Sequence, residues 1–270
     1  MDLKVGFIGA GNMGCAMIKS IVNSKFIKKE DIFVYDIDKG KLSNLKSETG
    51  VTILNDSGGV IEKSDIIILA VKPNMVKNVL EANKDAFDDK KILVSVAVGI
   101  PIKFYQDIIG NDKKIVRTMP NTPALVGEGM TLMCYDENIL SGEEFSKVKK
   151  IFECFGKVEV LDEKLMNEVT AVTGSSPAYV FMFIEAMADA AVLSGLPRDL
   201  SYKLAAQAVL GSAKLVLETG KHPGELKDQV CSPAGTTIEA VKTLEKHGFR
   251  YAIIDAMEEC TKKARKIGKG

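Results

Sequence analysis

The sequence predicts a two-part α/β protein: a doubly wound, mostly parallel sheet over residues 1–161, then an all-helical region over 162–270. Three observations carry this. Apolar runs of strand length alternate with helical patterns through the first half, as strands and crossover helices must. The first run, Val5–Ile8, leads directly into three glycines spaced two and three apart, Gly9, Gly11 and Gly14. Beyond about Asp162 strand signals stop and helical periodicity takes over.

Each element follows from its residues. After Val5–Ile8, the turn Gly9-Ala10-Gly11-Asn12-Met13-Gly14 has the spacing of a dinucleotide-binding loop. Gly9 allows a tight reversal, Gly11 leaves no Cβ between backbone and pyrophosphate, and Gly14 lets the new helix sit close to the strand. The phosphates would meet free N–H groups at a helix start near Asn12. That helix, with Met13, Ala16, Met17, Ile18 and Ile21 as its apolar face, is expected to run to about Asn23. The second strand, Ile32–Tyr35, ends at Asp36, about 20 residues past the loop, where a ribose hydroxyl acceptor belongs. A helix from Lys39, a strand Ile66–Val71, a helix after Asn74, and strands at Ile92–Val98, Ile115–Thr118 and Thr131–Cys134 complete this half. Such runs, apolar throughout, suit strands covered on both faces. Ala70-Val71-Lys72-Pro73 leaves the carboxyl end of one strand, where open α/β sheets bind ligands, and Lys72 could neutralise a phosphate or simply be solvated. Arg117-Thr118-Met119-Pro120-Asn121-Thr122-Pro123 breaks the pattern again, since two prolines force extended chain.

The second half predicts helices over Glu163–Val172, Ser175–Ser194, Leu200–Glu218, Pro223–Val230, Gly235–Lys246 and Gly248–Lys266. The second of these opens on Ser175-Ser176-Pro177, a cap followed by proline at the first helical position. It continues Ala178-Tyr179-Val180-Phe181-Met182-Phe183-Ile184, apolar nearly all round. A helix apolar on every side must be covered on every side, which calls for a partner subunit.

Composition narrows the function. Thirty-six basic residues balance 36 acidic ones, so no broad field favours nucleic acid or an acidic membrane, and the expected partner is a small molecule. The basic tail Lys262, Lys263, Arg265, Lys266 and Lys269 reads as cations complementing a helix dipole rather than a phosphate patch. Five cysteines, at 15, 134, 154, 231 and 260, form no close pair, which argues against a disulfide framework or a zinc site and fits the cytoplasm. A strand starting within a few residues of Met1 leaves no room for a signal peptide, and the run Ile92–Ile102 is too short to span a bilayer, so no membrane association is expected.

A second loop carries the chemistry. Asp228-Gln229-Val230-Cys231-Ser232-Pro233-Ala234-Gly235-Thr236-Thr237-Ile238 joins two helices and presents N–H groups and hydroxyls at a helix start, a site for an anion such as a carboxylate. With Gly9–Gly14, Ala70–Pro73, Met119–Pro123, Gly174–Tyr179, His222-Pro223-Gly224 and Ser232–Ile238 in this order, the chain resembles pyrroline-5-carboxylate reductases over essentially its whole length. The resemblance implies an N-terminal Rossmann domain and an all-helical C-terminal domain that dimerises by interlocking, with a larger ring, up to a decamer, left open. It also implies reduction of 1-pyrroline-5-carboxylate to L-proline by NADPH or NADH.

By that resemblance, Thr237 is the catalytic hydroxyl that hydrogen-bonds the imine nitrogen, and Ser232, Gly235 and Thr236 cradle the substrate carboxylate. Glu163 and Gln229 fall at further substrate positions, Gln229 standing where the family often has Asn. Gly9, Ala10, Gly11, Asn12, Met13, Gly14, Asp36, Ala70, Val71, Lys72 and Pro73 form the cofactor set. Ala234 replaces a common glycine, which puts the backbone shape of that loop in question. The chemistry needs positioning and desolvation more than a nucleophile or metal, because an imine carbon is already electrophilic. His222 and His247 precede Pro and Gly and read as turn residues, while Cys231 has no neighbouring histidine to activate it. Two rivals share the first domain. A β-hydroxyacid-type dehydrogenase would need a lysine on the helix 177–194, which has none, and a non-catalytic nucleotide sensor would not need the second loop. Asp36, with Asp38 beyond it, opposes a 2′-phosphate, so NADH is expected to serve at least as well as NADPH.

Overall fold

The computed structural model describes residues 3–267. The first unit comprises the described residues up to Ser175, together with those from Cys260 on, and the second runs from Ser176 to Glu259.

In the first unit, β1 (Val5–Ile8), α1 (Asn12–Ser24), β2 (Ile32–Tyr35), α2 (Lys39–Thr49), β3 (Thr52–Ile53), α3 (Ser57–Lys63), β4 (Ile66–Leu69), α4 (Pro73–Asn83), β5 (Ile92–Ser95), α5 (Ile102–Ile109), β6 (Lys114–Met119), β7 (Gly129–Tyr135), α6 (Gly142–Glu153) and β8 (Gly156–Val160) follow in order. The eight strands form one sheet in the order β3-β2-β1-β4-β5-β6-β7-β8. The first six repeat the 3-2-1-4-5-6 order of the doubly wound dinucleotide-binding fold, all parallel. β7 returns antiparallel to β6, because the turn between them is too short for a crossover helix, and β8 then pairs parallel to β7 through α6.

Strand period 2 sorts the apolar residues onto two covers. Phe7, Ile66, Ile68 and Val94 face Met17, Ile18 and Ile21 of α1 and Phe152 of α6. Ile8, Ile67, Leu69 and Leu93 face Val76 and Leu80 of α4 and Tyr105 of α5. Caps fix the helix starts: Asp38 accepts from Lys41 N at α2, Asp56 from Gly59 N at α3, and Ser141 with Glu144 closes a capping box at α6.

The last strand ends at Val160, and the segment after it departs from the helix expected over Glu163–Val172. A 3₁₀ turn spans Glu163–Leu165 and a π-helical turn spans Thr170–Gly174. Thr170 Oγ1 donates to Met166 O at 3.3 Å and Thr173 Oγ1 to Val169 O at 3.5 Å, side-chain bonds that compete with a regular ladder in a β-branched stretch.

The second unit holds α7 (Ser176–Leu193), α8 (Arg198–Thr219), α9 (Pro223–Val230), α10 (Thr236–Lys246) and the first part of α11 (Phe249–Ile267). Phe183 of α7 meets Phe249 of α11 with ring centroids 6.1 Å apart. Most of the apolar surface stays open: Phe181 is 61% exposed, Met182 69% and Leu217 83%. Among the described residues, one helical stretch, Thr170–Leu193 of 24 residues, is long and apolar enough to cross a membrane by length and composition, and it is longer than Ile92–Ile102.

The last turns of α11 belong to the first unit, where Arg265 Nε and Nη2 bind the two oxygens of Glu168 at 2.9 and 2.5 Å. Arg265 is therefore an ion-paired tether. Lys269 of the basic tail lies outside the described residues.

Candidate active site

The glycine loop owes its shape to constraints at two of its three glycines. Gly9 has φ +106°, and a Cβ there would lie 2.5 Å from Ala70 O, so both conformation and space demand glycine. A Cβ on Gly14 would lie 2.4 Å from Gly9 O, which forces α1 close to the end of β1. A Cβ on Gly11 would meet nothing within 4 Å. Nothing in the packing of the chain itself therefore requires glycine there. Gly11 also caps α1 with no side-chain bond, leaving the first N–H groups of the helix open to an anion.

Gly9, Gly11, Asp36, Ala70, Val71 and Lys72 line one cleft of about 460 Å³ over the carboxyl ends of β1, β2 and β4. Ala10 and Asn12 line its smaller neighbour with Gly11, Met13 is half-buried on α1, and Pro73 opens α4 at its first helical position. The cleft also takes in Ile37, Lys41 and Met75. Apolar Ile37, 80% exposed, and Met75 have no packing signal of their own, so the cofactor motif alone does not single them out.

Asp36 is held more firmly than a ribose acceptor requires. Its Oδ2 accepts from Ala10 N at 2.6 Å and its Oδ1 from Asp38 N at 2.8 Å. It thus braces the glycine loop, and Ala10 N–H donates inward to the carboxylate.

In the second unit, α10 begins at Thr236 behind Gly235, an extended cap with φ −79° and no side-chain cap bond. Gly235 N donates to Ser232 O at 3.0 Å, closing the turn, and a Cβ on Gly235 would lie 2.3 Å from Ser232 Oγ. Ser232 and Thr236 are exposed and Thr237 is half-buried, so the start of α10 offers unclaimed N–H groups flanked by hydroxyls. Ala234 adopts φ +55°; of the described non-glycine residues, only Lys25 shares that region. The loop therefore keeps a glycine-like shape with an alanine in it, at a cost of about 1–2 kcal/mol.

Residues 163–267 match the family described as pyrroline-5-carboxylate reductase dimerisation, and residues 4–99 the family described as NADP oxidoreductase, coenzyme F420-dependent. The pyrroline-5-carboxylate reductase of Escherichia coli K12 is 48% identical over 269 residues, covering 100% of both chains. That of Methanosarcina acetivorans is 40% identical, covering 98% of each. Among solved structures, the pyrroline carboxylate reductase of Plasmodium falciparum with NADP bound superposes with a TM-score of 0.90 at 36% identity, over 98% of each chain. The pyrroline-5-carboxylate reductase of Coxiella burnetii gives 0.91 at 31%, over 100% of each. The chain belongs to the pyrroline-5-carboxylate reductase family.

The dimerisation match supports self-association, and α7 and α8, with their open apolar faces, lie within it. The remaining expected residues are placed as follows. Gln229, exposed on α9, donates to Glu225 Oε1 at 3.0 Å, which Lys221 also reaches at 2.9 Å. Glu163 lies in the first unit, where its Oε1 accepts from Ile102 N at 2.7 Å and from Arg117 Nη1 at 3.3 Å. It is part of that unit's framework. His222 is a structural cap, its Nδ1 accepting from Gly224 N at 3.0 Å at the start of α9. Burial raises the Cys15 thiol and pushes that of Cys134 up to about 12, so neither is a thiolate at neutral pH.

Proposed function

We propose that this member of the family reduces 1-pyrroline-5-carboxylate to L-proline with a nicotinamide dinucleotide, the cofactor lying on the Gly9–Gly14 loop. The observation that carries the substrate reading is the start of α10, where Gly235 leaves the first N–H groups free beside Ser232, Thr236 and Thr237. A carboxylate held there gains charge-assisted hydrogen bonds and the positive end of the helix dipole.

In this reading the dinucleotide supplies a hydride to the imine carbon while the nitrogen takes a proton, so that C=N becomes CH–NH. Thr237 orients the nitrogen through its hydroxyl, Gln229 borders the substrate, and Ser232, Gly235 and Thr236 hold the carboxylate. These residues position the reacting groups and exclude water; no nucleophile is needed. We further infer that dimers interlock through α7 and α8, with assembly up to a decamer, and that no membrane or nucleic acid is involved. Five free cysteines suit the reducing cytoplasm.

The test is loss of absorbance at 340 nm when NADH or NADPH meets 1-pyrroline-5-carboxylate, with 3-hydroxy acids as the control. Turnover of a hydroxy acid but not the cyclic imine overturns the reading.

A further inference from the structure

Arg117 lies inside β6, directly after the buried Ile115 and Val116, and is only 4% exposed. A guanidinium so deeply buried must be paired and hydrogen-bonded. Its Nη1 reaches Glu163 Oε1 at 3.3 Å and its Nη2 donates to Asn167 Oδ1 at 2.7 Å. The same Glu163 oxygen accepts from Ile102 N at 2.7 Å, at the start of α5, where Pro101 occupies the cap position and supplies no side-chain cap. One carboxylate thus ties β6 to the loop that leaves β5.

The groups next to this tie are also locked. Tyr105 OH and Ser95 Oγ lie 2.6 Å apart, Ser95 Oγ accepts from Ala97 N at 3.2 Å, and Thr118 Oγ1 donates to Ser95 O at 3.0 Å. Ser95 is the last residue of β5, and Thr118 is next to last in β6. A doubly wound sheet carries a dinucleotide across the carboxyl ends of its strands, one mononucleotide on each side of the β1/β4 switch point. Asp36 and its cleft mark the adenosine side, over β1 and β2. The other nucleotide then falls over β4, β5 and β6, on the loops this network fixes.

We propose that Glu163 and Arg117 are positioning residues for the nicotinamide half of the cofactor, holding the loops after β5 and β6 at a set spacing. The proposal rests on the reading of the first unit as a dinucleotide site, and it replaces a substrate contact for Glu163 with an indirect role.

Three measurements on full-length Glu163→Gln separate the roles: affinity for NADH, affinity for ADP-ribose, and kinetics with the cyclic imine. Gln keeps an oxygen for Ile102 N but loses the charge facing Arg117. We expect NADH affinity and kcat each to fall about tenfold, as small misplacements of reacting groups do. ADP-ribose affinity and the KM for the imine should stay within about twofold, because neither depends on the fixed loops. An imine KM raised about tenfold with NADH affinity intact would make Glu163 a substrate ligand and overturn the proposal. Equal weakening of ADP-ribose and NADH would reduce the pair to general support and overturn it as well. Should Glu163→Gln fail to fold, Asn167→Ala, which removes only the second Arg117 contact, must show the same split in weaker form; no split there overturns the proposal too. Wild-type protein that binds neither NADH nor NADPH would overturn the dinucleotide reading itself, and this inference with it.

Discussion

The two units treat apolar surface in opposite ways. In the sheet unit Val5, Phe7, Ile18 and Val94 are fully covered by their own chain, and a buried arginine has its carboxylate. In the helical unit Ala188 is the single buried residue of α7, while Phe181 and Met182 face outward. A sheet with helices on both faces is a closed arrangement, whereas a helix that is apolar all round is closed only by another molecule. The first unit encodes its own core and the second encodes an interface, so mutations of equal size should have different consequences in each.

The largest effect should come from charging that interface. Met182→Glu places a carboxylate where the partner would cover the side chain, and an unpaired buried charge costs several kcal/mol. Light scattering should then show loss of the dimer, and activity should fall by about 100-fold or more at micromolar protein. A Met182→Glu dimer with normal activity would erase the contrast between the units.

Next in size is Thr237→Ala, which tests whether the helical unit supplies chemistry as well as an interface. If the hydroxyl acts on the imine nitrogen mainly in the transition state, kcat and kcat/KM should drop together by roughly 10-fold to 100-fold. Thr237→Ser should keep most of the activity. Wild-type rates in the alanine variant would remove Thr237 from the mechanism.

The same contrast explains what the sequence made legible. Strands such as Ile66–Leu69 are apolar without interruption because both faces are covered, and they stand out in the sequence. β8 does not stand out, because Lys157 and Glu159 alternate with Val158 on a sheet edge, and two-residue β3 is too short to make a pattern. The glycine loop and the 232–237 loop are local in sequence and could be found there. The Arg117–Glu163 pair spans 46 residues, and its only sequence signal is a charge following the apolar pair Ile115-Val116 in β6.

Smaller again is the effect of relieving strain in the second loop. Ala234 at φ +55° carries about 1–2 kcal/mol of left-handed strain, against about 0.5–1 kcal/mol of extra chain entropy that a glycine would lose on folding. Ala234→Gly should therefore stabilise the protein by about 0.5–1 kcal/mol, read as a higher denaturant midpoint at unchanged m-value. A lower midpoint would mean that the loop does not hold the left-handed shape in solution.

The smallest expected effect lies back in the sheet unit, at Asp36. A carboxylate at the end of β2 can take ribose hydroxyls and repels a 2′-phosphate, and Asp38 stands beside it. Wild-type protein should therefore use NADH at least as well as NADPH. Yet both Asp36 oxygens already accept main-chain N–H groups, from Ala10 and Asp38, so replacing the residue also loosens the loop beneath both cofactors. Lys41, 3.8 Å from Asp38, offsets part of the repulsion as it stands. Asp36→Ser should accordingly lower kcat/KM for NADH and NADPH alike while shifting their ratio only about threefold toward NADPH, or roughly 0.65 kcal/mol. A ratio that swings by about 100-fold with NADH alone impaired would show Asp36 acting on the ribose and not on the loop. A wild-type preference for NADPH beyond about tenfold, or roughly 1.4 kcal/mol, would show that the carboxylate is turned away from the 2′ position altogether.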